Sequence, residues 1–126
     1  MYHLFLVVFG GGIGAGLRHL VNFAALRLVG PGFPWGTMAI NVSGSFAMGV
    51  FIEFLARRFG GASNELRLFV ATGILGGFTT FSAFSLDFAV LWERGEVMPA
   101  FGYALGSVIA SITALFVGMW LARSFA

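Results

Sequence analysis

The chain has 126 residues, 59% of them hydrophobic and only 10% charged, with a mean hydropathy of +0.95; soluble domains carry about a quarter charged residues, so a water-soluble enzyme is excluded and an integral membrane protein is expected. A helix crossing the hydrocarbon core of roughly 30 Å needs about 20 apolar residues, which leaves space for at most about five spans and none for a second domain. The net charge of +2 comes from arginines scattered along the chain with one adjacent pair, which makes no nucleic-acid surface, and the absence of cysteine removes disulfides and thiolate sites.

Four apolar stretches are predicted to span as helices: Leu4 to Val29, Trp35 to Ala56, Leu66 to Trp92 and Pro99 to Ala122. The fold class is therefore all-α, one four-helix membrane domain over 1–126. Span one carries Gly10-Gly11-Gly12-Ile13-Gly14-Ala15-Gly16, whose small residues four apart allow close helix approach. Gly10, Gly12 and Ala15 also fit a degenerate dinucleotide fingerprint, but no strand precedes them. A signal peptide is a poor description of this stretch, which lacks a basic leader and exceeds the usual apolar core of such a signal. Arg18 lies inside span one, where it can snorkel or reach a water-filled vestibule. His3 and His19 are not spaced as a metal pair.

The first connector, Gly30-Pro31-Gly32-Phe33-Pro34, is uncharged and rich in helix breakers. Span two then places Thr37, Asn41 and Ser45 at four-residue intervals along one face. Serine and threonine often tie membrane helices together, but an amide in hydrocarbon demands several partners, which makes Asn41 the sharper candidate for transport. The second connector, around Arg57 to Glu65, carries Gly60-Gly61 and an N-cap at Ser63 or Asn64.

Span three contains Gly76-Gly77-Phe78-Thr79-Thr80-Phe81-Ser82-Ala83-Phe84-Ser85, a cluster of residues unfavourable to helix interiors. The helix is expected to break at mid-membrane, a flexible continuous helix being the alternative. Unwound backbone at that depth must be buried in protein or line a cavity, and its carbonyls can hold a cation. Phe81 and Phe84 share a face beside this point; ring edges carry positive quadrupole and can attract an anion, although phenylalanine pairs at this spacing are most often core or lipid-facing. After the turn Arg94-Gly95-Glu96, span four presents Tyr103, Ser107 and Ser111 on one face and Gly102, Gly106, Ala110, Ala114 and Gly118 on another. Trp35, Trp92 and Trp120 fall near span ends, where amphipathic rings favour the headgroup level.

With a cytoplasmic N-terminus, Arg57, Arg58, Arg67 and Arg123 lie inside and Arg27 and Arg94 outside, a weak orientation signal that permits insertion both ways. No acid lies at the middle of a span, so a carrier needing an embedded carboxylate has no candidate, and no catalytic constellation emerges.

Span-three GGFTTFSAFS, the WGTMAIN run ending in Asn41 and span-one GGIGAGLRH together resemble the fluoride channels of the Fluc, or CrcB, family along nearly the whole chain. The resemblance implies a passive, fluoride-selective channel in the inner membrane of a microbe, relieving cytoplasmic fluoride that enters as hydrogen fluoride, and an antiparallel, dual-topology homodimer with two pores. By motif position, Phe81 and Phe84 would be the pore phenylalanines and Asn41 an amide donor beside the ion's path. Thr37, Thr80, Ser82, Tyr103, Ser107 and Ser111 would be further polar lining, and Arg18 would stand near a vestibule. A sodium ion at the dimer interface would be held by the backbone carbonyls of Gly76 and Thr79. A small multidrug-resistance-like exporter is the alternative, but such proteins depend on a span-one glutamate and span one here has no acid. A helix-recruiting scaffold would leave the aligned polar stripes unexplained.

Overall fold

The structure is a computed structural model and describes residues 1–59 and 63–125. Four helical segments are long and apolar enough to cross a membrane, Tyr2–Val29, Trp35–Phe59, Asn64–Glu93 and Val97–Phe125, so the chain is a multi-pass membrane protein. We label α1 Tyr2–Val29, α2 Trp35–Phe59, α3 Asn64–Leu66, π1 Arg67–Leu75, α4 Gly76–Phe78, α5 Phe81–Glu93 and α6 Val97–Phe125. Large apolar side chains such as Phe9, Phe116 and Trp120 face outward, as they do where lipid is the solvent rather than water.

The third segment is wound in an unusual way. Nine residues of π1 take the wider i→i+5 form, a rare arrangement otherwise found as single turns, and α4 adds three more residues. Thr79 (φ −79°, ψ 159°) and Thr80 (φ −153°, ψ 124°) are extended, and helix resumes at Phe81. Thr80 caps the new start, its Oγ1 accepting from the Ala83 N–H at 3.1 Å, which satisfies one of the orphan donors of a helix N-terminus. Ser63 stands at the N-cap of α3 as expected, but its side chain makes no cap bond. Gly60 and Gly61 lie outside the described residues.

Close backbone approach organises the packing into two parallel pairs. A Cβ at Gly14 would collide with the Ile74 carbonyl and one at Gly10 with that of Phe69, so α1 lies directly on π1 and α4. A Cβ at Gly49 would strike the Leu115 carbonyl, and one at Gly118 that of Phe46, so α2 and α6 meet in the same manner. Gly12, Gly16 and Gly102 have open space beside them; only part of each small-residue face is used within the chain. Gly10 and Gly14 meet Phe69 and Ile74 in rising order, and on α2 and α6 Met38 lies beside Gly106 while Glu53 bonds Arg123, so both pairs run parallel.

The two membrane ends are tied separately. At one, Glu53 Oε1 accepts from Arg57 Nε at 3.2 Å and Arg123 Nε at 3.0 Å. At the other, Arg94 Nη1 donates to the Gly32 carbonyl at 3.2 Å, joining the first and third connectors. The third connector closes α5 as a Schellman turn: Gly95 (φ 81°) donates to Trp92 O and Glu96 to Leu91 O, both at 3.0 Å. Beneath it, Leu91, Ala100 and Tyr103 form a small core with Phe33, Met38, Phe84 and Phe88.

Candidate functional site

The extended residues between α4 and α5 would leave backbone groups unpaired, which is costly away from water. The Asn41 side chain meets them. Its Oδ1 accepts from the Thr80 N–H at 2.8 Å and its Nδ2 donates to the Thr80 carbonyl at 3.0 Å. One N–H of the amide remains. Asn41 therefore acts first as a brace, and only its second donor is available to an ion.

Beside this brace lies a cavity of about 440 Å³ between α2, α5 and α6. Asn41, Thr80, Phe81, Phe84, Ser107 and Ser111 all line it, so the structure gathers most of the sequence-predicted residues around one space. Thr80 and Ser107 are buried. The Ser107 hydroxyl is fully enclosed and has no hydrogen-bond partner among the described residues, an uncommon condition for a buried polar group. Phe81 and Phe84 stand with ring centroids 5.6 Å apart and tilted by 45°. Phe81 is 77% exposed on the single chain, whereas Phe84 packs 5.1 Å from the Tyr103 ring.

The remaining predicted residues are placed elsewhere. Thr37 lines a second cavity, about 370 Å³, near the first connector, together with Asn22, Asp87 and Arg94. Tyr103 joins the two spaces: its ring touches Phe84 of the first, and its hydroxyl donates to Asp87 Oδ2 of the second at 3.0 Å. Ser82 lines neither cavity; its hydroxyl is 3.2 Å from that of Thr80. Arg18 also lines neither and is half-buried, eleven residues before the end of α1, about 16 Å along the axis.

Gly76 is exposed and Thr79 half-buried. The Thr79 hydroxyl is committed to the Leu75 carbonyl at 3.0 Å, while its own carbonyl accepts no hydrogen bond among the described residues. No cluster of three or more His, Cys, Asp or Glu side chains placed to hold a metal ion occurs among those residues.

Two contributors stand outside the residues assigned to the path by resemblance. Ser45, already placed by its spacing on the face of Thr37 and Asn41, lines the first cavity. Asp87 follows Phe84 by three on α5 and so shares its face, yet its position near a span end hid its link to Tyr103.

The CrcB-like protein family, also described as Camphor Resistance (CrcB), matches residues 5–119. A Mesorhizobium japonicum protein named fluoride-specific ion channel FluC is 76% identical over 98% of each chain. Its namesake in a Chelativorans species is 66% identical, again over 98% of each, and one in Rhizobium etli is 55% identical over the full length of both. With a family match from residue 5 to 119 and relatives this similar from end to end, the chain belongs to the CrcB-like family.

Proposed function

We propose that the protein is a passive fluoride-selective channel that lets cytoplasmic fluoride leave across the inner membrane and so protects the cell from it. The relatives support the ion: proteins up to 76% identical carry the name fluoride-specific ion channel. The observation that carries the proposal to a place in the fold is the orphaned Ser107 hydroxyl, enclosed beside Phe81 and Phe84. Removing a small anion's hydration in low dielectric costs on the order of tens of kcal/mol, which a pore must largely return. Fluoride is a compact hydrogen-bond acceptor; hydroxyl donors and the positive edges of aromatic rings suit it. Neutral donors also avoid trapping it, since conduction needs sites weak enough to leave.

In this reading the third span breaks at mid-membrane at Thr79 and Thr80, and the working form is an antiparallel, dual-topology homodimer. The exposed Phe81 ring supports a partner surface there. The weak arginine bias between the ends supports insertion in both directions. Phe81, Phe84, Asn41, Thr80, Ser107 and Ser111 form the fluoride path, with Thr37 and Tyr103 continuing it toward the second cavity, Ser82 a more distant contributor and Arg18 at a vestibule. The carbonyls of Gly76 and Thr79 hold a structural sodium ion at the interface, a role that the unbonded Thr79 carbonyl fits.

Fluoride efflux from liposomes holding the purified protein, run beside chloride under the same gradient, tests the function. Rapid fluoride loss with chloride retained is expected; no fluoride flux from folded protein would overturn the proposal.

A further inference from the structure

A cavity larger than the one beside Phe81 lies between the C-terminal ends of α2 and α6, has a volume of about 970 Å³, and is walled by apolar side chains including Phe46, Val50, Phe54, Leu121 and Phe125. Arg57 and Arg58 close one end. From Phe46 to Arg58 the α2 wall extends about 18 Å, close to the roughly 15 Å depth of one leaflet's hydrocarbon. The arginines are thus set at the level where headgroups lie.

The charge at that end is unbalanced. Glu53 accepts from both Arg57 and Arg123, each through Nε, so the terminal nitrogens of both guanidinium groups remain for other acceptors. Arg58 has no carboxylate partner among the described residues, and its guanidinium carbon stands 6.0 Å from the Phe54 ring centroid, which holds it over the mouth of the trough. Two guanidinium groups share one carboxylate and the third, that of Arg58, has none among the described residues. Arginine pairs bidentately with phosphate, and a phosphate ester is the anion that a bilayer supplies at this depth.

We propose that this trough binds one anionic phospholipid, an acyl chain lying along Phe46, Val50 and Phe54 and the phosphate held by Arg58 and Arg57. A neutral phosphatidylcholine carries its own cation beside the phosphate and leaves the excess charge unmatched, so the site selects anionic headgroups. It touches none of the residues assigned to fluoride.

The test uses the full chain in neutral detergent with added dioleoyl-phosphatidylglycerol or dioleoyl-phosphatidylcholine, reading retained lipid by native mass spectrometry and the unfolding midpoint by circular dichroism. Phosphatidylglycerol should be retained at one per chain and raise the midpoint, and phosphatidylcholine should do neither. Arg58→Gln should weaken retention about tenfold, the loss of one charge-assisted contact, and Val50→Trp should abolish it by filling the trough; Ala47→Leu narrows the same space if the tryptophan variant does not fold. Retention unchanged in Arg58→Gln, or unchanged in the filled variants, would overturn the site. Because the chain has no cysteine, Val50→Cys offers a separate check: a disulfide-linked pair of copies through position 50 would show that a second copy covers the trough and would equally overturn the lipid.

Discussion

Asn41 and Thr80, 39 residues apart in sequence, exchange two hydrogen bonds of 2.8 and 3.0 Å between a side-chain amide and both backbone groups of one residue. An amide side chain here does what a neighbouring strand would do elsewhere, completing the pairing of an extended backbone. Replacement by alanine leaves a donor and an acceptor of Thr80 unpaired, each costing about 1–3 kcal/mol when buried. Asn41→Ala should therefore lose stability and fluoride flux together. Asn41→Asp, which sets a second acceptor against the Thr80 carbonyl, should be no better. Thermal unfolding in micelles beside liposome efflux reads both; flux lost at full stability would assign Asn41 to the ion alone.

Ser107 offers the opposite case. Its hydroxyl is buried without a partner among the described residues, so deleting it removes no intramolecular bond. Ser107→Ala should leave the unfolding midpoint unchanged or slightly raised, while fluoride efflux falls by about tenfold, the worth of one hydrogen bond to a charged species. Unaltered efflux would detach Ser107 from the path.

The long apolar runs were legible in sequence because the membrane imposes them directly: Trp35 to Ala56 was expected and α2 covers Trp35–Phe59, and Pro99 to Ala122 lies within Val97–Phe125. Pairing was not. Glycine spacing announced close approach at Gly10 and Gly14 but could not name Phe69 and Ile74 as the backbones met. The wide winding of π1 left no sign in side-chain chemistry, since it depends on which carbonyl each N–H selects. The stripe of Thr37, Asn41 and Ser45 was correct as a face, yet four-residue steps carry it about 12 Å along the axis, far enough for Thr37 to open on a different cavity from Asn41 and Ser45.

Gly49 should tolerate no side chain. A Cβ there would strike the Leu115 carbonyl, and a backbone so held cannot yield without separating α2 from α6. Gly49→Val is expected to yield little folded protein from membranes. Gly102→Ala adds a methyl group into open space and should be neutral or raise stability, since alanine favours helix over glycine by up to about 1 kcal/mol. Size-exclusion profiles of the two variants would separate close packing from a general aversion to larger residues.

Phe81 and Phe84 should separate when changed to isoleucine. Both substitutions remove a ring edge and should reduce fluoride efflux while leaving the protein folded. Phe84 also packs against Tyr103, whose hydroxyl holds Asp87, so Phe84→Ile should lower the stability of the single chain's fold in addition, whereas Phe81, exposed on the single chain, should act only through the proposed partner surface. Unchanged flux in both variants would refute the aromatic path.

Thr79 joins the proposed path to the proposed sodium site, and its two oxygens have different duties. The hydroxyl is bonded to the Leu75 carbonyl at 3.0 Å; the carbonyl is the atom left for a cation. Thr79→Ala removes the first and keeps the second. Sodium should therefore remain bound in this variant, seen as undiminished central ion density in a crystal or as unchanged sodium dependence of fluoride efflux. The Leu75 carbonyl loses its side-chain partner but still accepts from the Thr79 N–H at 3.0 Å, so only a small loss of stability is expected. Disappearance of the ion in a folded Thr79→Ala protein would transfer the ligand role to the hydroxyl and contradict a site made of backbone alone.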